Sequence, residues 1–143
     1  MKNFVYKTYN DMTKPEYQLR YDVFVVEQNM KYQEEFEGDE ELFLHCHLYD
    51  GGELIACARM GQVDEETIRI GRIAVRKNLR GKGYGKMIVE FAEGEAKKQG
   101  YKKTFLIAQT YAISFYEKLG YVTVGDEFIE VNIPHIKMTK TLS

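Results

Sequence analysis

The sequence predicts a single α/β domain on a mixed, mostly antiparallel sheet, with helices on both faces and one parallel strand pair. Three observations predict it. Apolar and β-branched residues fill 42–49, 53–63 and 67–75, separated only by Asp50-Gly51-Gly52 and Asp64-Glu65-Glu66, as in an antiparallel meander. The third run passes through a glycine-rich turn into helical spacing at Met87, Ile88, Phe91, Ala92 and Ala96. A short apolar run at 104–108 follows that helix, so the crossover should be right-handed and its two strands parallel.

The remaining elements follow in order. Residues 2–9 alternate enough for a first strand. Thr13-Lys14-Pro15-Glu16 is a helix start, with Thr13 as N-cap, Pro15 in the first turn and Glu16 reaching back as a capping box. That helix should run to about Gln28, with Tyr17, Tyr21, Phe24, Val25 and Val26 on its apolar side and Arg20 and Asp22 outside. Residues 37–41 read as an acidic, solvated loop with a short helical turn. The helix after the glycine turn should stop at Gly100. Residues 111–119 form a second short helix closed by Gly120, and 121–124, 128–131 and 136–141 supply the last strands.

Composition bounds the function. With 143 residues and 44% hydrophobic content, the chain reads as one domain over 1–143 with a sizeable core. A net charge of −2 offers no electrostatic case for nucleic acid. No apolar stretch approaches the length of a membrane span or an export signal. Cys46 and Cys57 lack metal-ligand spacing; they read as buried free thiols in a reducing compartment, so a cytoplasmic protein without a metal site is expected.

The turn between strand and helix carries the chemistry. Gly81, Gly83 and Gly85 let backbone approach a ligand closely, and Arg80, Lys82 and Lys86 add positive charge. Free N–H groups at a helix N-terminus favour an anion, so the turn reads as a pyrophosphate cradle. It is not the dinucleotide fingerprint, which needs G-x-G-x-x-G, nor the P-loop, which needs G-x-x-x-x-G-K-[ST].

Arg80-x-x-Gly83-x-Gly85 resembles the acyl-CoA pyrophosphate loop of the GNAT superfamily of N-acetyltransferases. A second segment agrees: Gln109-Thr110-Tyr111-Ala112-Ile113-Ser114-Phe115-Tyr116-Glu117-Lys118-Leu119-Gly120-Tyr121 is similar to the family's N-x-x-A-x-x-x-Y-x-K-x-G-[FY], with Gln109 at the usual Asn. The run from Arg20 to Gln28, the strand Ile70-Gly71-Arg72-Ile73-Ala74-Val75 and Ile133-Pro134-His135-Ile136 resemble the ElaA-like branch. The element order resembles the GNAT fold along essentially the whole chain.

The resemblance implies an N-acyltransferase using acetyl-CoA, acting on a primary amine of a small molecule by direct attack in a ternary complex. It implies that the donor's pyrophosphate sits on the backbone of Gly81, Lys82, Gly83, Tyr84, Gly85 and Lys86, beside Arg80. The pantetheine arm would pair with Ile73, Ala74 and Val75 where the parallel strands splay, and an N–H near Val75 would face the thioester carbonyl. Tyr116 is the implied general acid for the leaving thiolate, against the reading that it only packs. Gln109 would order the pantetheine or its loop.

The general base is open. Many relatives carry a Glu on the organising strand where this chain has Gly71. Glu27, His45 or His47, and His135 are candidates, with His135 favoured because it precedes the last strand. Glu27, His45 and Arg72 could instead bind the substrate, and Arg72 could pair with Glu27 inside the fold. Edge strands near the C-terminus can pair two subunits into a homodimer. The competing reading is a non-catalytic acyl-CoA-binding regulatory module; a weaker one is a different phosphorylated ligand in the same loop.

Overall fold

The computed structural model describes residues 2–143. Seven strands form one sheet in the order β1-β2-β3-β4-β5-β7-β6. They are β1 (Phe4–Tyr9), β2 (Leu44–Asp50), β3 (Glu53–Gln62), β4 (Thr67–Val75), β5 (Lys103–Gln109), β6 (Val122–Glu130) and β7 (Ile133–Thr141). All neighbours are antiparallel except β4 and β5, which are parallel. The mixed sheet with one parallel pair is therefore as the sequence predicts.

Helices cover both faces. On one, α3 (Tyr84–Lys98) lays Ile88, Val89, Ala92 and Ala96, all fully buried, onto Cys46, Leu48, Ile55, Met60, Ile68 and Ile70. Each such large aliphatic side chain contributes roughly 1.5–3 kcal/mol on burial. On the other, α1 (Lys14–Arg20) and its continuation bury Leu19, Val23 and Phe24 against Leu54, Cys57 and Ala74.

That continuation differs from expectation. The chain does not stay α-helical to Gln28: residues Tyr21–Glu27 form a π-helix, closed by Gln28 N–H donating to the Val23 carbonyl at 3.0 Å. Five-residue spacing puts the neighbours Val23 and Phe24 on the sheet together and leaves Val26 exposed, so the apolar side is narrower than the sequence suggested. Thr13 does cap α1, accepting from Glu16 N–H at 3.4 Å, but Glu16 does not complete the capping box. Its carboxylate turns inward to Arg20, His45 and His47.

Arg20, expected outside, is fully buried, and Glu40 from the supposed solvated loop is buried beside it. A four-residue helix, α2 (Tyr32–Glu35), precedes that loop. Near the C-terminus the expected separate strands merge into β6, which joins β7 through a two-residue turn with Val131 at φ 51° and Asn132 at φ 62°. Every residue of β6 is exposed, and it forms one edge of the sheet. The remaining helix, α4 (Ile113–Lys118), lies between β5 and β6.

Candidate active site

The parallel pair opens almost as soon as it forms. β4 and β5 are in register only at Thr67–Lys103, Ile68–Thr104 and Arg69–Phe105. Beyond Arg69, β4 has no strand opposite it on that side, while β5 stays paired to β7 as far as Gln109–His135. A β-bulge contributes to the divergence: Cys57 pairs with Ala74 but Arg59 with Gly71, leaving one extra residue on β4. The bulge holds Arg72 at φ 49°, a left-handed conformation that costs a side-chain-bearing residue about 1–2 kcal/mol. Arg72 is held there from α2: its Nη2 donates to the Glu34 carbonyl at 3.2 Å, and its Nε lies 2.8 Å from Glu35 Oε1. That Nε–H is not aimed at the carboxylate, so proximity is electrostatic and neither atom completes a hydrogen bond.

Two cavities meet in the opening. The first, about 560 Å³, runs from Ile73, Ala74 and Val75 to the glycine turn and is walled by Tyr111 and Phe115. At the turn, Gly81 (φ 78°) and Gly83 (φ 88°) occupy conformations that favour glycine, and a Cβ at either would point into open space. Gly83 caps α3 without any side-chain bond, so the first-turn N–H groups stay available. At Gly85 a Cβ would come within 3.3 Å of Phe115 Cζ. The Tyr84 ring is buried in the core, so that residue offers the turn only its backbone, while Lys82 and Lys86 are exposed beside it. A strand edge lacking a partner, leading to a bare helix N-terminus with lysines around it, fits an extended pantetheine ending in a pyrophosphate.

Arg80 is engaged differently from expectation. Its guanidinium forks onto the Glu27 carboxylate, with Nη2 at 2.8 Å from Oε1 and Nη1 bonded to Oε2, and its Nε donates to the Val75 carbonyl at 3.1 Å. The hydrogen bond from Arg80 holds the Glu27 carboxyl below the usual carboxylate range. Glu27 is thus an ion-pair partner of Arg80, not of Arg72, which instead meets Glu35.

The second cavity, about 190 Å³, lies between the splayed strands and shares Gln28, Ile73, Gln109 and Tyr111 with the first. Tyr116 and His135 line it. Burial pushes the Tyr116 phenol up to about 12, so it is protonated at neutral pH. The ring packs edge-on to Phe115 and Tyr121. His135 Nδ1 lies 2.7 Å from the Ile133 carbonyl. A carbonyl only accepts, so Nδ1 is the donor, and in the neutral ring Nε2 is the basic nitrogen. Gln109 Nε2 donates to Gln28 Oε1 at 3.3 Å, tying the π-helix end to β5 across the opening.

His45 does not reach this cavity. It is fully buried, with Nδ1 at 2.8 Å from Glu16 Oε2 and Nε2 at 2.8 Å from the Glu40 carbonyl. Both partners are acceptors, so both nitrogens donate and the ring is an imidazolium. Burial alone would lower its pKa, but the bonds to Glu16 and Glu40 outweigh that and raise it. His47 is likewise buried, 2.7 Å from Glu16 Oε1. Arg20 joins the cluster at 2.6 Å to Glu35, 2.8 Å to Glu16 and 3.0 Å to Glu40. Burial would raise the Glu16 carboxyl, yet His45, His47 and Arg20 together hold it at about 2.

A family profile described as Acetyltransferase (GNAT) domain matches residues 9–142. The chain belongs to the GNAT acetyltransferase family. It is 35% identical to Protein ElaA of Escherichia coli over 128 residues, covering 86% of this chain and 83% of that protein. The crystal structure of E. coli ElaA superposes with a TM-score of 0.83 at 30% identity, over 98% of this chain and 99% of that one. An acyl-CoA N-acyltransferase from Pseudomonas aeruginosa gives a TM-score of 0.84 at 30% identity and the same coverage. A GNAT-family acetyltransferase from Elizabethkingia anophelis with acetyl-CoA bound shares the fold at 20% identity, with a TM-score of 0.77 over 98% and 99% of the chains. This GNAT chain is accordingly an N-acetyltransferase, an acyltransferase by class, and none of its helices among the described residues is long and apolar enough to cross a membrane.

Sequence reasoning missed Gln28 and Arg69 as cavity residues and the buried charge cluster behind α2. The cluster left a trace: Glu16 and Arg20 are one helical turn apart, and His45 and His47 share one strand face.

Proposed function

We propose that this GNAT enzyme transfers an acetyl group from acetyl-CoA to a primary amine of a small molecule by direct attack in a ternary complex. The observation that carries the reading is the pair Tyr116 and His135 lining one cavity, which opens onto the glycine-turn groove through Ile73 and Gln109. When bound, acetyl-CoA supplies an activated carbonyl and a thiolate leaving group. The backbone from Gly81 to Lys86, with Lys82 and Lys86, holds the pyrophosphate, and Ile73, Ala74 and Val75 lie along the pantetheine. Arg80 acts chiefly through Glu27, fixing the turn against the π-helix. An N–H near Val75 lowers the barrier by stabilising the oxyanion, an effect of a few kcal/mol.

His135 accepts the amine proton on Nε2, directly or through water, and Tyr116 donates its proton to the departing sulfur. Both cysteines are buried and burial pushes their thiols up, Cys46 to about 12, which argues against a thiolate nucleophile and a covalent enzyme intermediate. The same free thiols support a reducing compartment such as the cytoplasm. The exposed edge strand β6 is the surface on which two subunits would pair.

The test is thiol release from acetyl-CoA across an amine panel, with wild type and Tyr116→Phe. Amine-dependent release that falls at least tenfold in the variant supports the reading. Unchanged turnover removes Tyr116 as proton donor. Acetyl-CoA binding without release across the panel overturns the transferase reading for small amines.

A further inference from the structure

Beyond the shared cavity, the opening widens into a space lined by Arg69, Arg72, Arg59, Glu34, Glu37 and Glu130. Its charges are not equivalent. Arg59 lies 3.0 Å from Glu40, and Arg72 lies 2.8 Å from Glu35 and 3.8 Å from Glu37. The side chain of Arg69, an exposed residue, makes neither a hydrogen bond nor an ion pair within 4 Å among the described residues. Its guanidinium lies over the Phe105 ring at 5.9 Å. Arg69 is also the last β4 residue paired with β5, so it stands at the vertex where the strands part, lining both cavities of the acceptor side. Gly71 lies beside it: a Cβ there would make only an ordinary contact with Arg69 Nε, at 3.9 Å.

Resting on the N-acyltransferase reading above, we propose that Arg69 selects an acceptor amine that carries a carboxylate. A guanidinium in a concave site with no partner gains most from an anion that completes its fork. The surroundings choose among anions. Partial desolvation is the largest influence on the Arg69 guanidinium and, with Arg72, lowers its pKa, while Glu130 and Glu37 partly offset this; the residue keeps an exposed face through which an anion can approach. A dianionic phosphate approaching Arg69 would meet those two carboxylates; a planar monoanion meets less repulsion and matches the fork. Lys137, whose Nζ lies 4.6 Å from the Phe105 ring centroid, adds a second positive charge at the same ring. The acceptor would then lie with its carboxylate at the vertex and its amine toward His135 and Tyr116.

The experiment compares matched amines with and without the acidic group: β-alanine with ethylamine, 4-aminobutanoate with propylamine, phenylalanine with phenethylamine, and 2-aminoethyl phosphate as the phosphate arm. Thiol release is read as KM and kcat separately, and binding to the CoA-loaded protein is read by calorimetry, which does not depend on turnover. A preference for at least one carboxylate member, with KM rising about 10- to 100-fold in Arg69→Gln and the preference lost, supports the proposal. Arg69→Lys should recover part of it, since the charge returns without the fork. A preference for the phosphate arm, equal use of both members of every pair, or an unchanged preference in Arg69→Gln overturns it. So does absence of calorimetric binding by every carboxylate member. Release from the uncharged amines alone would leave the transferase reading standing and remove only this one. Carboxylate binding lost in Arg69→Gln, with no thiol release from any amine, would remove the transferase reading and keep the anion site.

Discussion

The Gln109–His135 register pair closes the β5–β7 ladder at the point where β4 has already turned away, and His135 Nδ1 is tied to the Ile133 carbonyl at 2.7 Å. The ring is therefore held in one tautomer on a rigid strand, with its basic nitrogen free. His135→Gln should lower kcat about 100-fold or more, the usual contribution of a positioned base, while acetyl-CoA binding by titration stays within about twofold. A kcat within about threefold of wild type would assign the base elsewhere.

Gly83→Ala tests the cradle through the backbone alone. No atom lies within 4 Å of a Cβ built there, but φ is +88°. The substitution should cost about 1–2 kcal/mol in urea unfolding and raise the KM for acetyl-CoA more than it lowers kcat. Gly85→Ala differs, because its Cβ would press on Phe115 Cζ at 3.3 Å. Its effect should be relieved by Phe115→Leu, whereas that of Gly83→Ala should not.

Glu16 makes the fold sensitive to acid. Its folded pKa is held at about 2, below the unfolded value near 4.5, so its contribution is present above pH 4.5 and lost as pH falls from there toward 2. The contribution is roughly 3 kcal/mol. His45 has the opposite sign: its raised folded pKa gives stability that is complete below its unfolded pKa near 6.5 and is lost as pH rises through the folded value. Chemical denaturation of wild type and Glu16→Gln from pH 2 to 8 should show a gap that closes at the acid end. A constant gap would mean that Glu16 titrates normally.

Arg20→Met removes the cation that three buried carboxylates share, at 2.6, 2.8 and 3.0 Å. Glu16, Glu35 and Glu40 keep His45, Arg72 and Arg59 beside them, but removing one partner of a buried ion pair still costs about 3–5 kcal/mol, so the variant should unfold at markedly lower urea concentration. Because Glu35 also flanks Arg72, the loss should extend to the bulge and appear as faster hydrogen exchange at residues 71–74. Exchange there that is unchanged would separate the cluster from the bulge.

The glycine turn, the parallel pair and the Gln109–Tyr121 segment were legible because each depends on local pattern: glycines at fixed spacing, β-branched runs, and apolar positions at helical intervals. Arg20 was not. Its helix position reads as outward-facing, and only the convergence of Glu35, Glu40 and His45 from other elements turns it inward. Likewise, the pairing of Arg80 with Glu27 spans distant segments, and β6 hides its continuity because Gly125 and the register shift between Val124 and Phe128 interrupt the alternation. The role of Arg69 depends on what does not reach it, which no one-dimensional pattern records.

The four residues of α2 are too few to hold a helix by themselves. What fastens them is Glu35, gripped from the far side by Arg20, so the wall beside the acceptor space is anchored from behind rather than from within. The exposed Gln33 and half-buried Glu34 side chains can therefore be exchanged with less structural penalty than Met30, which packs against the Leu19, Val23 and Phe24 cluster, while Glu35 and Arg20 stay. A library randomised at those front positions, with the anchor untouched, is the natural route for redirecting this scaffold toward new amines.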